Sequence, residues 1–184
     1  MRALLVTILL LPAAAAAQTA RAEAALKALF PDAERFTPRD VFLTEEMAAR
    51  LEKLARVKVT ERMVTFYVAA RGETTLGYAA LHTHRVRTKN ETLAIGFEPD
   101  GRLKRIDVAV FLEPEEYLPT PKWLAQFAGK TAEDRLGLGD DVSVLSGATL
   151  SARSISETAR WLLQALRAAG PTVKPALDAG ARAP

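Results

Sequence analysis

Residues 92–112 read T-L-A-I-G-F-E-P-D-G-R-L-K-R-I-D-V-A-V-F-L, and this stretch decides the fold. Two apolar runs, 92–97 and 103–112, flank the sequence Pro-Asp-Gly at 99–101. Proline presets φ and glycine tolerates positive φ, so the three residues predict a hairpin turn. The second run repeats apolar residues at every other position, which predicts a half-buried antiparallel strand with one inward face: Ile106, Val108, Val110 and Leu112.

Upstream of this hairpin the hydrophobic period is also two. Residues 64–68 alternate apolar with polar side chains, and a turn around Gly72 leads into a further strand at 76–84. We therefore expect the strands to begin near residue 63 and to form one antiparallel sheet.

Apolar residues at helical spacing precede and follow the strands in the sequence. A short helix is predicted at 21–30, and a second at 44–57 has Thr44 as its cap. Residues 122–127 predict one or two helical turns. A long helix closes the chain and ends at Gly170 and Pro171, because its apolar residues recur at helical spacing: Ile155, Ala159, Leu162 and Leu166. The fold class is α+β, a twisted antiparallel sheet packed by N-terminal and C-terminal helices.

The N-terminal stretch predicts export. Arg2 precedes an apolar run at 3–11, and the alanines at 13–17 offer a cleavage site before Gln18. An apolar run of about 10 residues is too short to span a bilayer, which needs about 20. We therefore expect residues 1–17 to be a cleaved signal peptide and the mature protein to reside in the periplasm, with association with the inner membrane as a further hypothesis.

The rest of the chain divides into an N-terminal helical segment at 18–60, one main domain at 61–170 and a flexible tail at 171–184. The 184 residues include no cysteine, which excludes disulfides, thiolate metal sites and attached c-type haem. A net charge of +3 is spread among acidic residues. Nucleic acid is therefore not an expected partner.

The segment 146–151, S-G-A-T-L-S, carries the chemistry. Ser146, Gly147 and Ala148 leave the Thr149 hydroxyl easy to approach, and they lie where an apolar stretch meets the start of the long helix. A helix N-terminus favours phosphate groups. A second interpretation is an ordinary helix start, with Thr149 or Ser151 as the cap, or with a capping box formed by Ser154 and Glu157.

S-G-A-T followed by x-[ST] resembles the attachment motif of the FMN-binding domain family, which includes flavin-carrying subunits of the sodium-translocating NADH:quinone reductase and of Rnf-type complexes. The resemblance extends over residues 63–169, with weaker matches at 76–79, 99–101 and 123–130. It implies that Thr149 carries FMN through a phosphoester made by a dedicated flavin transferase. Ser146, Gly147, Ala148 and Ser151 would then surround the attachment point.

Four aromatic residues are candidates for packing on the flavin ring, each with ordinary core packing as the alternative: Tyr78, Phe97, Tyr117 and Trp123.

His82 and His84 share one face of a predicted strand, but no third ligand is evident and basic residues follow at 85–89. We therefore predict no metal site, and instead a surface strand or a docking face for an acidic redox partner.

The chain has no nicotinamide-binding fingerprint and no catalytic triad motif. We expect an electron-transfer carrier working with a membrane or soluble redox partner rather than a stand-alone enzyme. The alternative is a non-catalytic exported binding or assembly module that docks on a membrane complex.

Overall fold

A computed structural model of the protein describes residues 13–173. Most of the predicted signal peptide and most of the predicted tail lie outside these residues. Within them the fold is α+β, as predicted: one antiparallel sheet of five strands in the order β1-β2-β3-β4-β5, with helices on both faces. The strands are β1 Arg35–Phe42, β2 Met63–Arg71, β3 Thr74–Arg85, β4 Asn90–Phe97 and β5 Leu103–Phe111.

The helices are α1 Ala13–Leu29, α2 Glu45–Ala55, α3 Pro121–Leu124 and α4 Thr149–Val173, with short 3₁₀ turns at Glu115–Tyr117 and Ala125–Phe127. Thr44 caps α2 as predicted, because its hydroxyl accepts from the Met47 N–H at 3.2 Å. Thr120 caps α3 in the same way, accepting from the Trp123 N–H at 3.2 Å.

The larger core lies between the sheet and α4. The apolar stripe predicted for the closing helix is buried there, since Ile155, Ala159 and Leu162 are fully enclosed. They pack against the inner face of the sheet, where Phe66 and Phe97 meet edge to face with ring centroids 6.1 Å apart. This packing holds the N-terminal end of α4 in place over the sheet.

The opposite face is covered by α1 and the residues that follow it. Leu26, Leu29 and Phe30 pack on small side chains from the central strands. The close approach requires glycine at position 77, because a Cβ there would lie 2.3 Å from the Phe97 carbonyl oxygen and 2.7 Å from the Phe30 ring.

The hairpin at 99–101 forms as predicted, with Gly101 at φ +95° and its N–H donating to the Glu98 carbonyl at 2.9 Å. The alternation predicted for the following strand is wrong in its second half. The pairing of β4 with β5 shifts register between Thr92 and Leu93, so that Val108 faces the α4 core while Val110 and Leu112 line the α1 side. An extra residue in one strand sends every later side chain to the opposite face.

Three boundaries differ from the predictions. Strand β1 precedes the first predicted strand; it lies at the sheet edge, where Pro38 removes no interior hydrogen bond, and its weak alternation concealed it. Helix α4 continues past Gly170 and Pro171 because Val173 is buried in the core. Helix α1 begins earlier than predicted, at Ala13.

Candidate functional site

The S-G-A-T segment forms a tight turn into the first residue of α4. The Ala148 N–H donates to the Leu145 carbonyl at 3.2 Å, and Gly147 adopts φ +81°. The first helical bond runs from the Ala152 N–H to the Ala148 carbonyl at 3.0 Å. A positive φ is unfavourable for a residue that has a Cβ atom, which explains the glycine at position 147.

Thr149 is exposed at the start of α4, whereas its neighbours Ala148 and Ser151 are buried. Its hydroxyl has no hydrogen-bond partner within residues 13–173. The N–H groups of Thr149, Leu150 and Ser151 precede the first helical hydrogen bond and are therefore available to a ligand. A free hydroxyl beside free donors at the positive end of a helix suits a phosphate group.

The capping interpretations are wrong for this helix start. Thr149 accepts no bond from the first turn within the described residues, and α4 begins five residues before Ser154 could act as a cap. Ser154 lies inside the helix, where its hydroxyl contacts the His84 Nε2 atom. The Thr149 side chain is thus left free of any role in starting the helix.

A cavity of about 190 Å³ opens beside Thr149. We call it the Thr149 cavity; it is lined by residues 147–151 and by Val86, Arg87, Glu113 and Tyr117. It is smaller than the roughly 300 to 1,000 Å³ of pockets that enclose a whole drug-sized ligand. It has room for the phosphate end of a nucleotide-sized ligand, whose ring system would extend to the surface.

Glu113 fixes the wall of the Thr149 cavity. Its carboxylate accepts the N–H groups of Thr88 at 2.6 Å, Lys89 at 2.7 Å and Arg87 at 3.2 Å. These backbone bonds, that of Lys89 foremost, hold the pKa of Glu113 below its ordinary value. The carboxylate therefore ties the β3–β4 turn to the chain after β5 and sets the position of Arg87.

No pattern in the sequence indicates that Val86, Glu113 and Leu150 belong to this site. Leu150 follows Thr149 directly, and Glu113 precedes a proline that ends a strand, but only the docking of α4 over the β3–β4 turn brings them together. Tyr117, one of the four aromatic candidates, does line the cavity.

Tyr78 and Trp123 do not line the Thr149 cavity. Tyr78 is buried in the core, and burial raises the pKa of its hydroxyl. Trp123 packs edge to face on Phe127 at 5.3 Å, and its indole N–H donates to the Ser143 carbonyl at 2.8 Å. Trp123 supports the loop that leads into the S-G-A-T turn. Phe97 is likewise a core residue.

The prediction that His82 and His84 lie on a surface strand is wrong. Their stacked rings, with centroids 5.4 Å apart, lie under α4, and the His82 ring meets Trp161 edge to face at 5.1 Å. Burial lowers the pKa of His82 to about 4, with Glu61 opposing the shift and His84 adding to it. Within residues 13–173 no group of three or more His, Cys, Asp or Glu side chains could hold a metal ion.

His84 has an unusual partner. Its Nε2 atom lies 3.1 Å from a carboxylate oxygen of Glu91, which is fully buried on the neighbouring strand. A buried carboxyl group is costly without a close polar partner. The His84 contacts with Glu91 and Ser154 therefore join the sheet to α4 beneath the Thr149 cavity.

The basic residues of the β3–β4 turn, Arg85, Arg87 and Lys89, are exposed, and Arg87 borders the Thr149 cavity. Arg87 thus places positive charge at the edge of the cavity.

Comparison with known proteins adds a structural likeness. No protein-family model matches the chain, and no curated protein matches it. The crystal structure of NqrC from Shewanella oneidensis is similar, with a TM-score of 0.48 and 15% identity over 77% of this chain and 84% of that one. The connection to FMN-binding domains thus rests on the S-G-A-T motif and on where it lies in the fold.

Among residues 13–173 no helix has the length and the apolar character needed to cross a membrane.

Proposed function

We propose that the protein is an exported flavoprotein that carries one FMN in phosphoester linkage to Thr149 and passes electrons to or from a membrane redox chain. The observation that carries this proposal is the placement of Thr149. Its free hydroxyl stands at the first residue of α4, at the edge of a cavity and within the only S-G-A-T motif of the chain.

The residues present fit a flavin phosphate. In the ester, the Thr149 Oγ1 atom takes the place of one phosphate oxygen, so the product gains one FMN and loses one water. The remaining phosphate oxygens can accept from the free N–H groups at the start of α4, where the helix dipole favours negative charge. Arg87 at the cavity edge adds a cation.

The FMN would supply one- or two-electron transfer, because its phosphate is remote from the ring that accepts electrons. The protein's own contribution is position. The Thr149 cavity is too small to enclose a ring system, so Tyr117 and Arg87 at its border are the residues that would adjoin the ring. A carrier must present its redox group to two partners in turn, and a surface ring with a basic border suits acidic ones.

Maturation would require two partners of the chain, an export pathway that removes the leader at 1–17 and a periplasmic flavin transferase. A tethered cofactor suits the periplasm, because FMN that dissociated there would not be readily replaced.

Intact mass spectrometry tests the proposal. The full-length chain is expressed in an exporting host with and without a flavin transferase, alongside a known substrate of that enzyme as a positive control. We expect an N-terminus near Gln18 and, only with the transferase, a mass increase of one FMN minus one water. An unmodified chain beside a fully modified control would contradict the proposal.

A non-catalytic binding or assembly module is the second candidate. An exposed apolar side chain at the cavity favours it, since Leu150 lines the cavity and is 50% exposed. Exposed apolar groups gathered in one place are typical of docking surfaces. If the Thr149→Ala variant, which cannot carry the ester, still restores function in a host lacking the protein, the module is the correct assignment.

A further inference from the structure

A second cavity lies away from Thr149, between the C-terminal end of α2, the loop at 131–137 and the middle of α4. Its volume is about 170 Å³, and it shares no lining residue with the Thr149 cavity. Three arginines line it, Arg56, Arg135 and Arg160. We call it the arginine cavity.

Two of the three arginines of this cavity have no ion-pair partner among the described residues. Arg135 pairs with Asp140 at 2.7 Å, but neither Arg56 nor Arg160 has an ion pair or a hydrogen bond in the part of the chain that the structure describes. The acidic residues that line the cavity are engaged elsewhere. Glu133 pairs with Arg167 at 2.5 Å, and Asp134 accepts from Thr131 at 2.7 Å.

Arg160 is the residue least satisfied by the protein alone. Its Nε atom is buried and has no hydrogen-bond partner within residues 13–173. Burial lowers the pKa of its guanidinium, Glu157 and Asp141 raise it, and the nearby charge of Arg56 lowers it. A buried donor without a partner costs free energy, and so does the approach of two like charges.

The backbone of the arginine cavity is strained at two positions. Within residues 13–173, Arg56 at φ +53° and Leu136 at φ +44° are the non-glycine residues with positive φ, and both line this cavity. Left-handed conformations at non-glycine residues are costly and gather at ligand-binding sites. At the C-terminal end of a helix the residue with positive φ is usually glycine. The presence of arginine at position 56 therefore requires an explanation other than backbone conformation.

We propose that the arginine cavity binds a phosphate group between the guanidinium groups of Arg56 and Arg160. A phosphate carries about 1.5 to 2 negative charges near neutral pH, which matches two unpaired guanidiniums. Guanidinium groups donate in a planar fork that suits phosphate oxygens. A monocarboxylate would neutralise only one of the two cations.

Isothermal titration calorimetry of the unflavinylated full chain tests this assignment, with inorganic phosphate, glycerol 3-phosphate and acetate as separate probes above about pH 7, where phosphate is largely doubly charged. We expect saturable binding of phosphate and much weaker binding of acetate. Tighter binding of glycerol 3-phosphate would identify a phosphomonoester as the ligand, and tighter binding of the inorganic ion would identify free phosphate. Acetate that binds as well as phosphate, or no saturable binding of either phosphate probe, overturns the proposal.

Variants separate this site from the free N–H groups of α4. Arg160→Gln and Arg56→Gly should each weaken phosphate binding at least about tenfold, because each removes a charge-assisted hydrogen-bond donor. Lys53→Gln removes the same charge from the exposed side of α2 and should leave binding unchanged. Binding unaffected in both arginine variants would place the phosphate elsewhere and overturn the assignment.

Thermal unfolding distinguishes a ligand role from a structural one. Arg56→Gly relieves the left-handed strain, so its Tm without phosphate should equal or exceed that of the wild type. At equal ionic strength, phosphate should raise the Tm of the wild type more than chloride does. For Arg56→Gly the two anions should have equal effects on the Tm. If Arg56→Gly lowers the Tm and phosphate stabilises both proteins equally, Arg56 has a structural role and the proposal fails. Arg56→Gly also keeps the test available should Arg160→Gln not fold.

Discussion

The Thr149 cavity and the arginine cavity both adjoin α4, but they are suited to negative charge by different means. The Thr149 cavity has free N–H groups, a helix dipole and an exposed hydroxyl, with Arg87 as the arginine of its lining. The arginine cavity has two unpaired guanidiniums and offers no nucleophilic hydroxyl besides Thr131, which is bonded to Asp134. A helix terminus with a hydroxyl can hold a phosphate permanently through an ester, whereas guanidiniums can only hold it reversibly.

The largest effect is expected for Thr149→Ala, which should abolish covalent flavin completely while phosphate binding in the arginine cavity stays unchanged. Thr149 is exposed and makes no hydrogen bond in the described residues, so stability should change by no more than about 0.5 kcal/mol. Flavin fluorescence in a denaturing gel measures the loss. Thr172→Ala, which removes an exposed hydroxyl near the other end of α4, is the control and should keep its flavin. Covalent flavin on the Thr149→Ala variant would move the attachment point to another hydroxyl.

The second effect concerns the middle of α4, where His82 packs on Trp161. Burial lowers the pKa of His82 to about 4, below its unfolded value of about 6.5. Between these values the unfolded chain binds a proton that the folded chain does not, so stability falls as pH falls from 6.5 to 4, by up to about 3 kcal/mol. Urea unfolding across this window should show the slope in the wild type and a smaller slope in His82→Leu. Equal slopes would show that His82 is not kept neutral by burial.

A smaller effect is expected for Gly147→Val, because an L-residue at φ +81° costs about 1 to 2 kcal/mol. A shift of that size reduces the population of the native turn, and with it the rate of flavinylation, by about 5- to 30-fold. A clash is not the cause, since a Cβ at 147 would meet nothing within 4 Å.

Gly101→Val is a matched control for this variant. Gly101 has φ +95° and equally open surroundings, but it lies in the β4–β5 hairpin. It should lose similar stability and keep full flavinylation. Equal flavinylation of both variants would remove the turn at 147 as a requirement.

The smallest effect is expected at the basic border of the Thr149 cavity. We expect the double reversal Arg85→Glu and Arg87→Glu to slow reoxidation of the reduced flavoprotein by membrane extracts by about tenfold and to remove its salt dependence. Reversal of Arg50 and Lys53 on α2 changes net charge equally and should have little effect. Rates that respond to neither salt nor the reversal at 85 and 87 would exclude electrostatic docking at this border.

Most of the fold could be predicted because its signals are local. The period-two runs marked strands β2 to β5, Thr44 marked the start of α2, and Pro-Asp-Gly marked the hairpin. The exceptions also have local causes. The bulge opposite Leu93 moved Val110 to the other face, and the edge strand β1 lacks alternation. One extra residue in a strand cannot be recognised from the alternation of apolar and polar residues.

The amino-acid sequence was sufficient to predict the α+β class and the start of a helix at the S-G-A-T turn, and to select Thr149 as the residue to test. Each depends on a few neighbouring residues. Tertiary packing alone brings Glu113 and Val86 to the border of Thr149, places His82 and His84 half-buried under α4, and brings Arg56 and Arg160 into one cavity. These residues are distant in the chain, and their proximity follows from how α2 and α4 dock on the sheet, which depends on packing across the whole core rather than on any local pattern.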